Sequence, residues 1–132
     1  MRRIGLVCFV MAMFFVFAGC APKADTAEIE RINTQELEQR LSQAPEDTIF
    51  IDVREPEEYA SGHIEGMINM PLSSFSETYS QLPKDKEIVI ICRSGNRSMQ
   101  AAQLLREKGY TRIVNVDGGM LDWKGPVVTA ES

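Results

Sequence analysis

From residue 48 onward, short apolar runs rich in β-branched residues alternate with stretches whose apolar positions have helical spacing. The runs 48–53, 87–91 and 112–116 are predicted to be strands. Residues 87–91 lack polar alternation, so both faces of that strand are expected to be covered, as in a parallel sheet. Residues 97–108 carry an apolar stripe, which predicts a helix between the last two of these strands.

Helix start and stop signals agree with this pattern. Asn33 with Glu36 three positions later predicts a capped helix that ends at 44–47. Pro56 begins a short helix, and Gly109 occupies the position that ends the 97–108 helix. Weaker patterns predict a brief strand at 67–69, a helix at 73–82 and a short helix reaching Trp123. The prediction is therefore an α/β domain with a mostly parallel central sheet flanked by helices.

The first twenty residues have the pattern of an export signal. Arg2 and Arg3 precede an apolar run at 4–17, which is shorter than the roughly 20 residues of a membrane span. Small residues then precede Cys20, and this resembles the lipobox of bacterial lipoproteins, although Phe17 stands where that motif usually has Leu. The alternative is an ordinary signal peptide cut nearby.

The lipobox resemblance implies that Cys20 is lipidated, as with palmitate, and becomes the new N-terminus of the chain. The domain would then be held at a membrane of the bacterial cell envelope, outside the cytoplasm. We expect a lipoprotein signal peptide at 1–19, a tether at 20–30 and one folded domain at 31–128.

Composition and charge narrow the functional classes. The chain has 132 residues, of which 44% are hydrophobic and 25% charged, and this is typical of a globular domain. Its formal charge of −5 gives no basic surface for nucleic acid. With Cys8 removed and Cys20 blocked by lipid, Cys92 would be the only free thiol. One cysteine and one histidine cannot build a closed metal site, so no metal is expected.

Cys92 stands where a strand turns into a helix. The residues that follow it are small or polar and include a glycine, so successive backbone N–H groups can converge on an anion there. Together with Arg93 and Arg97, these groups would favour the thiolate, which is the reactive form. The alternative is a structural cysteine that ends a core strand. The glycine, the arginines and the helix start favour a catalytic cysteine.

Several spaced motifs from about residue 32 to 127 resemble the rhodanese family, in its single-domain form. The matching segments, in chain order, are IDVRE at 51–55 with Glu58-Tyr59, GHIEG at 62–66, Asn69-Met70-Pro71, CRSGNRS at 92–98, DGGM at 117–120 and Trp123.

This resemblance implies a sulfurtransferase that works by double displacement and needs no cofactor. Cys92 would take a sulfane sulfur from thiosulfate or a persulfide donor and pass it to a thiol, cyanide or a protein acceptor. Arg93 and Arg97 are the candidates for docking an anionic donor. The residues implied in binding substrate or the persulfide are Arg93, Ser94, Gly95, Asn96, Arg97 and Ser98.

Four residues outside the Cys92 loop also bear on this assignment. Some rhodaneses carry a basic donor-binding residue where this chain has Glu65, and a carboxylate facing the site would repel thiosulfate. His63 could form a dyad with Cys92, but we expect a loop histidine bound to backbone groups. Asp52, with Arg54, is expected to orient loops rather than to react.

Two other functional classes remain open. Cysteine-dependent phosphatases use a similar loop with arginine at the sixth position after cysteine, whereas Arg97 is at the fifth and Ser98 at the sixth. The second alternative is a rhodanese-like module that binds partners or senses redox state without catalysis. It is weakened, though not excluded, by the presence of Cys92.

Overall fold

A computed structural model describes residues 27–130, which form one parallel sheet of five strands with helices on both faces. The predicted signal peptide at 1–19 and the lipidation site Cys20 lie outside these residues. No helix within 27–130 is long and apolar enough to cross a membrane. The elements are β1 (Glu30–Ile32), α1 (Thr34–Gln43), β2 (Thr48–Asp52), α2 (Pro56–Ser61), β3 (Ile68–Asn69), α3 (Leu72–Thr78), a 3-10 helix (Tyr79–Gln81), β4 (Glu87–Ile91), α4 (Asn96–Glu107), β5 (Ile113–Val116) and α5 (Gly119–Asp122).

The central strand β4 organises the core. It pairs with β2 on one side and β5 on the other, within the strand order β1-β5-β4-β2-β3. Ile88, Ile90 and Cys92 belong to one buried cluster, whereas Val89 and Ile91 belong to the cluster on the opposite face. This alternation follows from the twofold side-chain period of a strand. The predicted α/β fold and the two covered faces of this strand are confirmed.

The local signals at the helix ends are also confirmed. The Asn33 side chain accepts a hydrogen bond from the Glu36 amide at 2.9 Å, and the Glu36 carboxylate accepts one from the Asn33 amide at 2.8 Å. Pro56 is the first residue of α2. Gly109 follows the end of α4 with a φ of +90°. These caps satisfy backbone groups that a helix end otherwise leaves unpaired.

Two elements differ from the sequence predictions. Strand β1 was not predicted, and its first residue, Glu30, is the last residue of the predicted tether. This strand is an edge strand of three residues with only Ile32 buried, so it carries almost no hydrophobic pattern. The helix predicted at 73–82 is divided into α3 and a 3-10 helix, which begins at Tyr79.

The parallel sheet places three strand ends side by side. Asp52 at the end of β2 is in register with Ile91 at the end of β4. Because neighbouring parallel strands end at the same edge, the loops after β2, β4 and β5 lie together. The loop after β4 carries Cys92, and the loop after β5 carries Gly118 and Gly119.

The loops after β4 and β5 approach each other more closely than a side chain would allow. Gly119 has a φ of +56°, and a Cβ atom there would overlap the Cys92 carbonyl oxygen. The same Cβ would lie 2.7 Å from the carbonyl carbon of Arg93. Glycine is therefore required at this position both by the backbone conformation and by the approach of the neighbouring loop.

This contact predicts the effect of Gly119→Ala. We expect the substitution to lower the free energy of unfolding by about 2–4 kcal/mol, since backbone rather than a flexible side chain must move. Gly66→Ala is the matched control, because Gly66 has a φ of +91° but its Cβ would meet only Leu41 at 3.9 Å. Urea denaturation of both variants measures the difference. Equal losses of stability would show that backbone conformation, and not the loop contact, requires the glycine.

Candidate active site

Cys92 directly follows β4 and its side chain points toward α4. The residue is completely buried. The chain then turns through 93–95 into α4, whose N-cap is Gly95 with a φ of +100°. A residue with a side chain adopts this left-handed conformation only at a cost, so Gly95 permits the tight turn that places α4 beside the cysteine.

The Cys92 sulfur is hydrogen-bonded within its own loop. The Gly95 amide donates to Sγ at 3.1 Å, and Sγ and the Ser98 Oγ form a second hydrogen bond at 3.3 Å. Ser98 is itself completely buried. The sulfur is therefore held by groups that can stabilise negative charge in a dry environment.

These contacts determine the protonation of the thiol. Burial of Cys92 raises its pKa, but hydrogen bonds from the Ser98 hydroxyl and from the Ser98, Gly95 and Ser94 amides lower it by more. The pKa of Cys92 is therefore lowered from its ordinary value. A lowered pKa increases the thiolate fraction near neutral pH, and the thiolate is the nucleophilic form of cysteine.

The carbonyl groups of the loop point away from the sulfur. The Met120 amide donates to the Cys92 carbonyl at 2.9 Å, and the Leu121 amide donates to the Arg93 carbonyl at 3.0 Å. In a trans peptide the N–H points opposite to the C=O, so binding these carbonyls to α5 directs the following amides toward the loop interior. The Ser94 amide is one of those that lower the pKa of Cys92.

Arg97, predicted as a donor-docking residue, forms an ion pair with Glu58 of α2. Its two terminal nitrogens contact the two carboxylate oxygens at 2.7 and 2.8 Å. The Arg97 guanidinium, with a smaller contribution from the Glu55 amide, lowers the pKa of Glu58 to about 2. The pair is thus fully ionised at neutral pH, and it engages both terminal nitrogens of Arg97.

Arg93 is placed differently. Its side chain is exposed and forms no hydrogen bond or ion pair with any residue in 27–130. It lines a groove beside the Cys92 loop, whose walls are formed by Arg54, Glu58, Ser61, Arg93, Met120 and Leu121. Arg93 is therefore the guanidinium of the loop that is available to an anion.

Asp52 and Arg54 form a buried ion pair at the end of β2. The Arg54 Nη2 contacts the Asp52 Oδ2 at 2.7 Å and the Gly62 carbonyl at 2.8 Å. The Arg54 amide also donates to the Asp52 carboxylate at 3.0 Å. This pair connects β2 to the end of α2, as expected of residues that orient loops.

Three other residues singled out from the sequence, Ser94, Asn96 and His63, differ in their exposure and contacts. Ser94 and Asn96 are exposed, at the turn and at the first position of α4. The His63 Nδ1 lies 2.9 Å from the Tyr59 carbonyl, and its ring stacks on Tyr59 with centroids 3.7 Å apart. This confirms a loop histidine bound to backbone.

Glu65 does not lie beside the Cys92 loop. Glu65 is exposed and lines grooves to which none of residues 92–98 contributes. The sequence argument that Glu65 repels a donor is therefore not supported by its position. No group of histidine, cysteine and carboxylate side chains suited to a metal occurs within the region that the structure describes.

The partner of Arg97 is the residue that sequence reasoning missed. Glu58 was noted only as part of a motif, and it is 39 positions from Arg97. The signal that could have identified Glu58 was its place on the helix that follows β2. Because β2 neighbours β4, that helix starts beside the loop after β4.

Comparison with known proteins identifies relatives across most of the chain. Residues 33–126 match the family described as rhodanese-like domain. A sulfurtransferase of Allochromatium vinosum is 38% identical over 106 residues, which cover 78% of this chain and 98% of the relative. The thiosulfate sulfurtransferase GlpE of Pseudomonas entomophila is 31% identical, covering 74% and 87%. The crystal structure of a rhodanese-related protein from Thermoplasma volcanium is 34% identical, with a TM-score of 0.67, covering 76% and 99%.

The contacts of the sulfur predict the effect of Ser98→Ala. Removing the hydroxyl removes one of the groups that lower the pKa of Cys92, so the pH midpoint for thiol alkylation should move upward. The rate with iodoacetamide, followed against pH, measures this shift. Ser76→Ala, which removes an exposed hydroxyl from α3, should leave the midpoint unchanged. A downward or absent shift in Ser98→Ala would contradict the assignment.

Proposed function

The chain belongs to the rhodanese-like domain family, and on that premise we propose that it is a sulfurtransferase whose Cys92 carries a sulfane sulfur as a persulfide. One observation carries the proposal: the buried Cys92 sulfur is hydrogen-bonded to the Gly95 amide and the Ser98 hydroxyl, and its pKa is lowered. Relatives named as sulfurtransferases support the same reaction class.

In the first displacement, the Cys92 thiolate attacks the outer sulfur of the donor. A bond forms between the two sulfur atoms, and the bond that joined the outer sulfur to the rest of the donor breaks. The leaving group keeps that electron pair, and it is sulfite when the donor is thiosulfate. The loop amides stabilise the anionic sulfur without having to reorganise.

In the second displacement, an acceptor thiolate or cyanide attacks the outer sulfur of the persulfide. The sulfur–sulfur bond to Cys92 breaks, and its electron pair returns to Cys92 as a thiolate. Donor and acceptor together supply every atom and electron, so the enzyme ends the cycle unchanged. No general base is required, which agrees with the binding of His63 to the Tyr59 carbonyl.

The geometry favours this reaction over phosphate ester hydrolysis. The loop after Cys92 reaches Arg97 at the fifth position, one residue earlier than the phosphatase pattern. The two terminal nitrogens of the Arg97 guanidinium are also bound by the two carboxylate oxygens of Glu58. A tetrahedral phosphate would therefore lack the arginine that such enzymes use.

The proposal includes export and a lipid anchor on Cys20. It is supported by the basic start, the apolar run at 4–17 and the small residues that precede this cysteine. Residues 21–29 would then act as a short tether between the lipid and β1. Sulfur transfer would take place at a membrane surface of the cell envelope.

The persulfide predicts a specific mass change. Incubation of a chain that starts at Lys23, and so lacks Cys8 and Cys20, with thiosulfate or a small persulfide should add one sulfur atom, and cyanide should remove it. Cys92→Ser should show no addition, since the transfer has a single nucleophile. Intact-mass spectrometry measures each state. A folded wild-type protein that gains no sulfur from either donor would favour a non-catalytic binding module.

The lipid anchor predicts the behaviour of Cys20→Ser in the full-length chain expressed in bacteria. The wild-type protein should incorporate radiolabelled palmitate and sediment with membranes, whereas the variant should do neither. Cys8→Ser is the matched control, because it changes a cysteine inside the apolar run and should retain the label. Equal labelling of wild type and Cys20→Ser would refute the anchor at this residue.

A further inference from the structure

We propose that Glu58 sets the charge preference of the donor site, making a singly charged sulfane donor preferable to dianionic thiosulfate. The inference rests on the proposed sulfurtransferase function and concerns the class of its donor. Glu58 would act as a positioning residue, since it contacts Arg97 rather than the reacting sulfur.

The ion pair of Glu58 and Arg97 lies beside the Cys92 loop. Arg97 lies in the first turn of α4, directly after the Cys92 loop, and Glu58 lines the groove beside that loop. Two hydrogen bonds at 2.7 and 2.8 Å hold the guanidinium in one orientation. The Glu58 carboxylate also accepts a hydrogen bond from the Glu55 amide at 2.9 Å, which holds Glu58 at the start of α2.

Most of the positive charge around the Cys92 loop is paired with carboxylates. Three guanidinium groups surround it, those of Arg54, Arg93 and Arg97. Asp52 pairs with the first and Glu58 with the third, and the Glu55 carboxylate lies close enough to act on Arg97 as well. The exposed Arg93 has no carboxylate partner among residues 27–130, so of these three guanidinium groups it is the one that offers a donor an unpaired positive charge.

Sulfane donors differ in the negative charge that they bring to the site. Thiosulfate carries two negative charges, and it must approach a thiolate that carries a third. A thiosulfonate anion has the same sulfur–sulfur bond, but an alkyl group replaces one charged oxygen. One guanidinium matches a singly charged donor, whereas a dianion leaves one charge uncompensated beside Glu58. Persulfides and thiosulfonates are therefore the donor class that fits this groove.

The test compares two donors on Glu58→Gln, which keeps the size of the side chain and an oxygen for the Glu55 amide. Methanethiosulfonate anion and thiosulfate each load Cys92, releasing methanesulfinate or sulfite. Mass spectrometry of the loaded protein gives the rate constant for each donor. Freeing Arg97 should raise the thiosulfate to thiosulfonate rate ratio on the order of tenfold, and added salt should reduce that gain.

Two further variants separate charge from structure. Glu57→Gln removes the same charge from an exposed neighbour on α2 and should not move the ratio. Arg97→Gln leaves Glu58 without its partner and should lower the ratio. Circular dichroism establishes which variants are folded, and Arg97→Gln decides the matter if Glu58→Gln is unfolded.

The outcomes are distinct. A raised ratio in Glu58→Gln with a lowered ratio in Arg97→Gln supports the proposal. Rates that fall by one common factor for both donors would show a purely structural role and overturn it, as would an equal effect of Glu57→Gln. If neither donor loads the folded wild-type protein, the proposed sulfurtransferase function fails, and this inference fails with it.

Discussion

The candidate site depends on the contact between two loop backbones, one after β4 and one after β5. Amides of Met120 and Leu121 bind the carbonyls of Cys92 and Arg93, and Gly119 makes the approach possible. Because the Arg93 carbonyl is held away from the sulfur, the Ser94 amide that follows it points toward the sulfur and helps to lower the pKa of Cys92. Part of the stabilisation of the thiolate thus follows from how two turns pack, and the rest comes from Gly95 and Ser98 at the start of α4.

As a second constraint, two ion pairs link one strand and two helices around the loop, namely β2, α2 and α4. The buried pair of Asp52 and Arg54 ties β2 to the Gly62 carbonyl at the end of α2, and Glu58 ties the start of α2 to Arg97 on α4. The pair of Asp52 and Arg54 is the buried one. Removing one partner from a buried pair leaves a charge without compensation, which typically costs about 3–5 kcal/mol. The groove between α2 and the Cys92 loop is therefore bordered by elements that these two ion pairs join.

Sequence patterns predicted the elements whose signal is local. The strand at Glu87–Ile91, the capping box of Asn33 and the glycine that ends α4 all depend on neighbours within a few positions. Strand β1 was missed because its only buried side chain is Ile32. The partner of Arg97 was missed because Glu58 reaches it only through the pairing of β2 with β4, which no local pattern contains.

The hydrogen bonds around Cys92 suit the thiolate better than the persulfide. The Gly95 amide and the Ser98 hydroxyl both contact Sγ, whereas the charge of a persulfide lies on an outer sulfur about 2 Å farther away. The hydrogen bonds of Gly95 and Ser98 are made to Sγ, so they do not reach the charged outer sulfur. Asn96 lies in the first turn of α4, where the amides have no acceptor within the helix. On the proposed mechanism, Gly95 and Ser98 therefore activate the thiolate for attack, and amides at the start of α4 are left to hold the transferred sulfur.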